Sequence, residues 1–343
     1  MRLEIAEHVD RETWDARVRS IGGVISHSAV WADYIAAGHP NAQREFMTLR
    51  SQEGTVEGIA LGFREQSHRR LLAPFTRRLW FDTMPAVAEG DRERLEEFLR
   101  LLEAYARGSG ITVLDVGSYA CPGTRESLEK LGFRVTRRLE FELSLGATEE
   151  DLWHGMEYKR RKNIKKGDRM GVIVRDLPGD DGVTALRQLQ GESNKRIVAR
   201  GGGNITYKGE SGRDPVRVLL DSGLGRMVVA ESEGKIVSAG LFTCFNGLVY
   251  HTLSGHSEEG LRCQAPTFLL WKTINRYRTE GARRFNFGGC SITALDEGSP
   301  EHGVYAYKKD FGGECIECAS GRKVLRRTMH GVMNFTRALV RRT

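Results

Sequence analysis

The sequence predicts an α/β protein made of one unit used twice, and three observations carry that reading. Helical and strand patterns alternate from end to end. At 343 residues the chain suits two domains better than one. Landmarks of the first half also recur in the second. A helix ending in Gly110-Ile-Thr-Val-Leu-Asp-Val-Gly117-Ser118 is matched by one ending in Gly281-Ala-Arg-Arg-Phe-Asn-Phe-Gly288-Gly289, each with glycines seven apart around a short apolar strand. Leu131-Gly132-Phe133 has a counterpart in Phe311-Gly312-Gly313, and Gly54 before a strand in Gly234 before a strand. The offsets, 171 and 180, differ, so the duplication is old and carries insertions.

In order along the chain, Trp14 to Val18 and Val30 to Ala37 read as short helices, and Glu45 to Leu49 and Val56 to Phe63 as strands around a turn near Gly54. Arg92 to Arg107 is an amphipathic helix with Leu95, Phe98, Leu99 and Leu102 at helical spacing, stopped near Gly108 and Gly110. Ile111 to Val116 follows as a buried strand, Ser127 to Leu131 as a helix, and Phe141 to Leu145 as the strand closing the first half. The second half opens with one helix from Glu149 to about Asp168, then a strand over Val172 to Asp176 and helices over Val183 to Ala199 and Pro215 to Ser222. Three strands come next, Met227 to Glu231, Ile236 to Phe245 and Leu248 to Ser254. Pro266 to Thr279 is a helix, Arg284 to Phe287 a strand, Tyr305 to Lys309 the start of another element, and a basic helix ends the chain. The expected domains are residues 1–146 and 147–343.

Composition, at 40% hydrophobic and 28% charged, is that of a globular protein. No apolar run reaches the roughly 18 residues of a membrane span, and Met1 to Asp10 lacks the apolar core of a signal peptide, so the expected location is cytoplasmic. Six cysteines in a chain this long are expected to stay reduced. Cys315 and Cys318 form one CxxC with Cys290 upstream, but no second pair or spaced histidines complete a zinc site, so no metal is expected. The net charge of +7 is unevenly spread. Tyr158 to Arg175 holds eight Lys or Arg against Asp168 alone, and Ala319 to Thr343 holds seven and no acid, which leaves −7 for the rest. Such stretches attract a polyanion or solvate a helix face.

Antiparallel strands followed by a helix and a further strand are the pattern of an acyltransferase-type unit, the GNAT fold by resemblance. In that fold the loop after the fourth strand binds the acetyl-CoA pyrophosphate with a Gln/Arg-x-x-Gly-x-Gly/Ala signature, because glycines let the backbone approach phosphate at a helix N-terminus. The corresponding loop here, Ser257-Glu-Glu-Gly260-Leu-Arg262-Cys-Gln264-Ala-Pro266, has two acids and one glycine. It is poorly suited to CoA, and no bound cofactor is expected. Serine-hydrolase, P-loop, GxGxxG and HExxH patterns do not occur.

Two further stretches resemble the FemABX peptidyltransferases. Lys159-Arg160-Arg161-Lys162-Asn163-Ile164-Lys165-Lys166, followed by Gly171-Val172, is similar to that family's Lys-x-Arg-x-Asn-Ile-x-Lys … Gly-Val segment. Tyr307-Lys308-Lys309-Asp310-Phe311-Gly312 is similar to its Phe-Lys-x-x-Phe-Gly. Pro85-Ala86-Val87 resembles its Gly-Pro-Val loop, with Met84 for the glycine. The resemblance implies two tandem GNAT-like acyltransferase domains with a cleft between them, the first on the acceptor side and the second on the donor side. It also implies an aminoacyl-tRNA donor and an acceptor amine, on a peptidoglycan precursor or a natural-product molecule. An acyl-CoA-dependent N-acyltransferase is the alternative.

Ester aminolysis needs a donor or cation for the developing oxyanion, and the resemblance puts Lys308 in that role. His251, on the strand before the donor loop, is a candidate base or a core histidine. Tyr307 either stacks on the 3′ adenine of tRNA or fills core. Lys159, Arg160, Arg161 and Lys165 are candidate donor ligands. Arg160 falls in line with Met156 and Ile164 at helical spacing, so it either snorkels or faces a cleft. Trp80, Asp82 and Tyr250 are candidate acceptor residues, with Asp82 pairing an ammonium. The basic helix at 159 to 169 and the basic C-terminal helix, Arg322, Lys323, Arg326, Arg327, Arg337, Arg341 and Arg342, are read together as an electrostatic track for the acceptor stem of tRNA. Val324, Leu325, Val332, Met333, Phe335, Leu339 and Val340 among those arginines leave peripheral contact with an anionic bilayer open.

Overall fold

The computed structural model describes residues 1–67, 72–199, 214–329 and 331. The chain divides into two compact units, Met1–Arg137 with Glu317–Thr343, and Arg138–Ile316.

The first unit contains β1 (Arg2–Ala6), α1 (Arg11–Ser20), α2 (Ala29–Gly38), β2 (Gln43–Arg50), β3 (Val56–Glu65), α3 (Ala73–Thr76), β4 (Arg78–Phe81), β5 (Ala86–Val87), α4 (Arg92–Gly108), β6 (Val113–Val116) and α5 (Arg125–Lys130). Side-chain caps start the helices: Asp10 accepts from the Thr13 amide at 2.9 Å, Ser28 from Trp31 at 3.1 Å and Asp91 from Arg94 at 2.9 Å. Leu95, Phe98, Leu99, Leu102 and Ala106 make the buried stripe of α4, packed with Met47, Leu49, Phe81 and Leu114 of the sheet. β2 and β3 form the expected hairpin, Phe46 opposite Leu61. β4 and β6 run parallel from Arg78 opposite Val113 to Phe81 opposite Val116.

The second unit takes β7 (Arg134–Ser144) from Arg138 onward. It continues with α6 (Glu149–Gly155), α7 (Tyr158–Arg169), β8 (Ile173–Asp176), α8 (Gly179–Ala199), α9 (Val216–Asp221), β9 (Gly225–Ser232), β10 (Lys235–Phe245), β11 (Leu248–His256), α10 (Glu258–Arg262), α11 (Ala265–Thr279), β12 (Arg284–Ser291) and α12 (His302–Lys309). Strand order is β7-β12-β11-β10-β9-β8. β11 and β12 are parallel at Leu248 opposite Arg284, Val249 opposite Phe285 and Tyr250 opposite Asn286. The two units therefore share a parallel pair built at equivalent positions, Arg78 with Val113 and Leu248 with Arg284, and Gly117 and Gly288 lie just past it in each. The tandem α/β architecture is the one the recurring glycines predict.

The divisions differ from residues 1–146 and 147–343. β13 (Glu314–Val324) ends in the first unit, where Gly321–Val324 pairs with β6, and β7 serves the second, where Ser144 lies opposite Arg284. Each parallel pair needs an antiparallel neighbour to satisfy its open edge, and an alternating strand pattern does not say which sheet it joins. The basic C-terminal helix is also corrected over these residues. Arg322 and Lys323 lie on β13, with Arg322 paired to Asp115 at 2.6 Å and Lys323 to Glu103 at 2.6 Å, so neither charge is free for RNA. Arg337, Arg341, Arg342, Val332, Met333, Phe335, Leu339 and Val340 lie outside the described residues.

The helix expected from Glu149 to Asp168 is two helices. A capping box between Thr148 and Asp151 starts α6, and Met156 leaves helical geometry at ψ 150°. The Glu157 amide then bonds the Asp310 carbonyl at 3.0 Å. At the break Gly312 has φ 82°, and a Cβ there would sit 2.5 Å from the Gly155 carbonyl oxygen. Gly312→Ala is therefore expected to destabilise the chain by about 2 kcal/mol or more, visible as a lower urea midpoint with unchanged slope.

Candidate functional site

Beyond Tyr250 and Asn286 the register of β11 with β12 stops, and β12 continues against β7 after a bulge between Asn286 and Gly289. Gly288, at φ 72°, lines this divergence; a Cβ would lie 3.4 Å from the His251 carbonyl oxygen and 3.5 Å from Lys308 Nζ. α12 carries Lys308 to the same place, where Nζ donates to the Gly289 carbonyl at 2.9 Å. Burial is the main force pulling the Lys308 pKa down to about 8; Arg138 adds to it, and Cys290, Glu140 and Glu301 oppose it. His251 stacks on Phe242 at 4.8 Å, and its buried Nε2 has no partner among the described residues. Burial first, then the Lys308 charge, push its pKa down to about 3, so the ring is neutral near pH 7.

Under these groups lies a carboxylate that sequence reasoning missed. Glu140 is fully buried; it accepts from Tyr250 Oη at 3.0 Å and Asn286 Nδ2 at 2.9 Å, and pairs with Arg138 at 3.1 Å. Asn286 Oδ1 in turn accepts from the Gly288 amide at 2.7 Å, which holds the turn open. Tyr250, expected at the acceptor, is thus a buried donor fixing Glu140.

The two family-like stretches are physically one assembly. Arg160 is buried on α7, its Nη2 3.0 Å from Asp310 Oδ2 and its guanidinium carbon 4.1 Å from the Tyr307 ring centre and 5.2 Å from that of Phe311. Phe311 is core, 5.3 Å from Phe287. Burial pushes the Tyr307 hydroxyl up to about 12 and keeps it protonated. Of the two readings of Arg160, the apolar line wins, with Asp310 supplying the counter-charge. Tyr307 sits inside this lock.

Lys159 and Lys165 lie on the exposed side of α7 and Arg161 is half-buried. None of the three has an ion-pair partner among the described residues; Lys165 Nζ rests 5.7 Å over the Trp153 ring. The loop at 257–266 folds as α10 in place of a phosphate cradle. Ser257 Oγ accepts from the Gly260 amide at 3.0 Å, the Ser257 carbonyl takes Leu261, and the Glu259 carbonyl takes Cys263. Glu258 and Glu259 occupy its first turn, so a pyrophosphate would meet two carboxylates there.

Trp80 and Asp82 belong to the first unit. Asp82 accepts from Trp31 Nε1 at 2.6 Å, and burial raises its pKa. Trp80 packs on Phe63 at 4.6 Å. Nearby His27, also missed, takes the Val24 amide on Nδ1 at 3.1 Å and bonds the Met84 carbonyl through Nε2 at 2.8 Å. It thereby fixes the loop carrying Pro85.

Residues 156–309 match the family model of an acetyltransferase (GNAT) domain. The chain is a GNAT-fold protein similar to FemX. The crystal structure of FemX superposes with a TM-score of 0.77 at 14% identity, covering 97% of this chain and 99% of that one. The C-terminal domain (DUF2156) of a candidate lysylphosphatidylglycerol synthetase from Agrobacterium fabrum gives 0.55 at 14% identity, covering 95% and 97%. A tandem GNAT protein from the clavulanic acid biosynthesis pathway gives 0.52 at 12%, covering 94% and 98%. No curated protein matches the sequence. Such identities establish a FemX-like tandem fold, and the acetyltransferase (GNAT) match lies within the second unit. No described helix is long and apolar enough to cross a membrane, and no described group of three or more His, Cys, Asp or Glu is placed to hold a metal.

Proposed function

We propose that this GNAT-fold protein transfers an aminoacyl group from aminoacyl-tRNA to an amine, on a peptidoglycan precursor or a natural-product molecule. The observation that carries the reading is the lock of Arg160 on Tyr307, Asp310 and Phe311, which joins α7, whose other cations have no ion-pair partner among the described residues, to the helix bearing Lys308. In the reaction the deprotonated acceptor amine attacks the ester carbonyl carbon. The new C–N bond forms, the ester C–O bond breaks, and the 3′ oxygen of tRNA leaves with the proton the amine gives up. Lys308, held by the Gly289 carbonyl, donates to the oxyanion. Gly288 leaves room for the acyl group beside it. His251, neutral with a pKa of about 3, is too weak a base to take an ammonium proton and serves the site as a packed ring on Phe242. Tyr250 and Glu140 position the β11–β12 divergence.

Purified protein is expected to move radiolabel from charged tRNA to an amine acceptor, and RNase is expected to abolish transfer. Label moved equally well after RNase treatment refutes the tRNA donor. The acetyltransferase family match favours a second reading, transfer from acyl-CoA. Saturable acetyl-CoA binding in a calorimetric titration would establish that one instead, against the acids of the 257–266 loop.

A further inference from the structure

On α7 the buried line is Arg160, Ile164 and Gly167, and the line directly opposite is Tyr158, Lys162, Lys165 and Arg169, all exposed. Lys159 flanks this outer stripe, as do the half-buried Arg161 and Lys166. None of these six cations has an ion-pair partner among the described residues. Elsewhere in the same unit arginines are matched with acids: Arg175 with Glu231, Arg187 with Asp214, Arg226 with Glu280, Arg276 with Asp176. At the head of the stripe Tyr158 is 72% exposed, more than any other large apolar side chain among the described residues. An aromatic ring left in water beside unpaired cations is the arrangement that binds single-stranded nucleic acid, the ring taking an unstacked base and the cations its phosphates. A duplex offers no free base face to such a ring.

We propose that the outer face of α7 docks the single-stranded 3′ end of the donor RNA, with Tyr158 stacking on one of its bases and Lys162, Lys165 and Arg169 following the backbone. This rests on the tRNA-dependent reading and adds to it the surface and the stacking residue. The stripe spans about 16 Å, at about 1.5 Å per residue, enough for a few nucleotides.

The test is fluorescence anisotropy with two labelled RNA hairpins, one ending in a single-stranded ACCA and one blunt. Tyr158→Ala is expected to weaken binding of the first by about 5- to 100-fold and leave the second unchanged, and Tyr158→Trp to keep wild-type affinity. Lys162→Gln and Arg169→Gln should weaken both RNAs alike, each lowering the slope of log affinity against log salt by about one. Equal loss on both hairpins with Tyr158→Ala, or no loss, overturns the proposal. So does tighter binding to phosphatidylglycerol vesicles than to either RNA, since Met170 and Ile173 are also exposed near the end of the helix and would suit a bilayer. The two readings fail separately. RNase-sensitive transfer with an indifferent Tyr158→Ala leaves the reaction standing without this surface. RNase-insensitive transfer with hairpin discrimination intact leaves an RNA surface on a different enzyme.

Discussion

Lys308→Met is expected to lose at least about a hundredfold in kcat and yet unfold at a higher temperature, by about 4 °C or more. Both halves follow from one environment. The site pulls the Lys308 pKa down to about 8, so holding the ammonium there costs about 3 kcal/mol near neutral pH relative to a lysine in water. A methionine removes that cost along with the single hydrogen bond to Gly289. A lysine kept for the fold would behave in the opposite way, lowering the melting temperature on removal and leaving the rate alone. The pH dependence gives an independent readout. The folded chain holds this proton less tightly than the unfolded chain, whose lysine titrates near about 10.4. Between about pH 8 and that value the unfolded state binds more protons, so wild-type stability gains from this group as pH rises, and the variant lacks the gain. The rate follows the ammonium itself. Wild-type kcat should fall above about pH 8, and Lys308→Arg, weaker but always charged, should lose that falling limb. A Lys308→Met enzyme with wild-type kcat would remove the cation from the mechanism.

What could be read beforehand and what could not divide along physical lines. Helix α4 announces itself by the period of its one buried stripe, and β9 and β10 by short continuous apolar runs that are buried on both faces. Lys308 was reachable through its short motif. Glu140 was not, because Leu139, Phe141, Leu143 and Leu145 alternate as the core face of a strand and consign Glu140 and Glu142 to the other side. That other side normally meets water. Here, at Glu140, it meets Tyr250 and Asn286, which are distant in sequence, with Arg138 beside it on the same strand. The break at Met156 was hidden for a related reason: its cause is Gly312, about 150 residues away, pressed against Gly155. Charge density misled at Arg322 and Lys323, since a count of arginines is blind to the Asp115 and Glu103 that neutralise them.

Arg160→Met is expected to lower stability by about 2–3 kcal/mol, toward the lower end for a broken buried pair because Asp310 keeps some solvent contact. Adding Asp310→Asn should recover part of the loss, since the carboxylate left behind is then neutral, and the double-mutant cycle should give a coupling of about 1 kcal/mol or more. The functional consequence separates a lock from a ligand. An arginine that grips phosphate raises the salt dependence of RNA binding, and its loss lowers the slope by about one. Arg160 has its guanidinium against Asp310, Tyr307 and Phe311, so its loss should leave that slope and the affinity for the ACCA hairpin unchanged. It should instead lower kcat, because α12 relaxes and Lys308 Nζ leaves the Gly289 carbonyl. Arg161→Gln, on the half-buried flank of the same helix with no acid partner among the described residues, should do the reverse and weaken RNA binding with kcat intact at saturation. Opposite signatures from adjacent arginines are what the geometry requires, because one turns toward Asp310 and the other toward solvent.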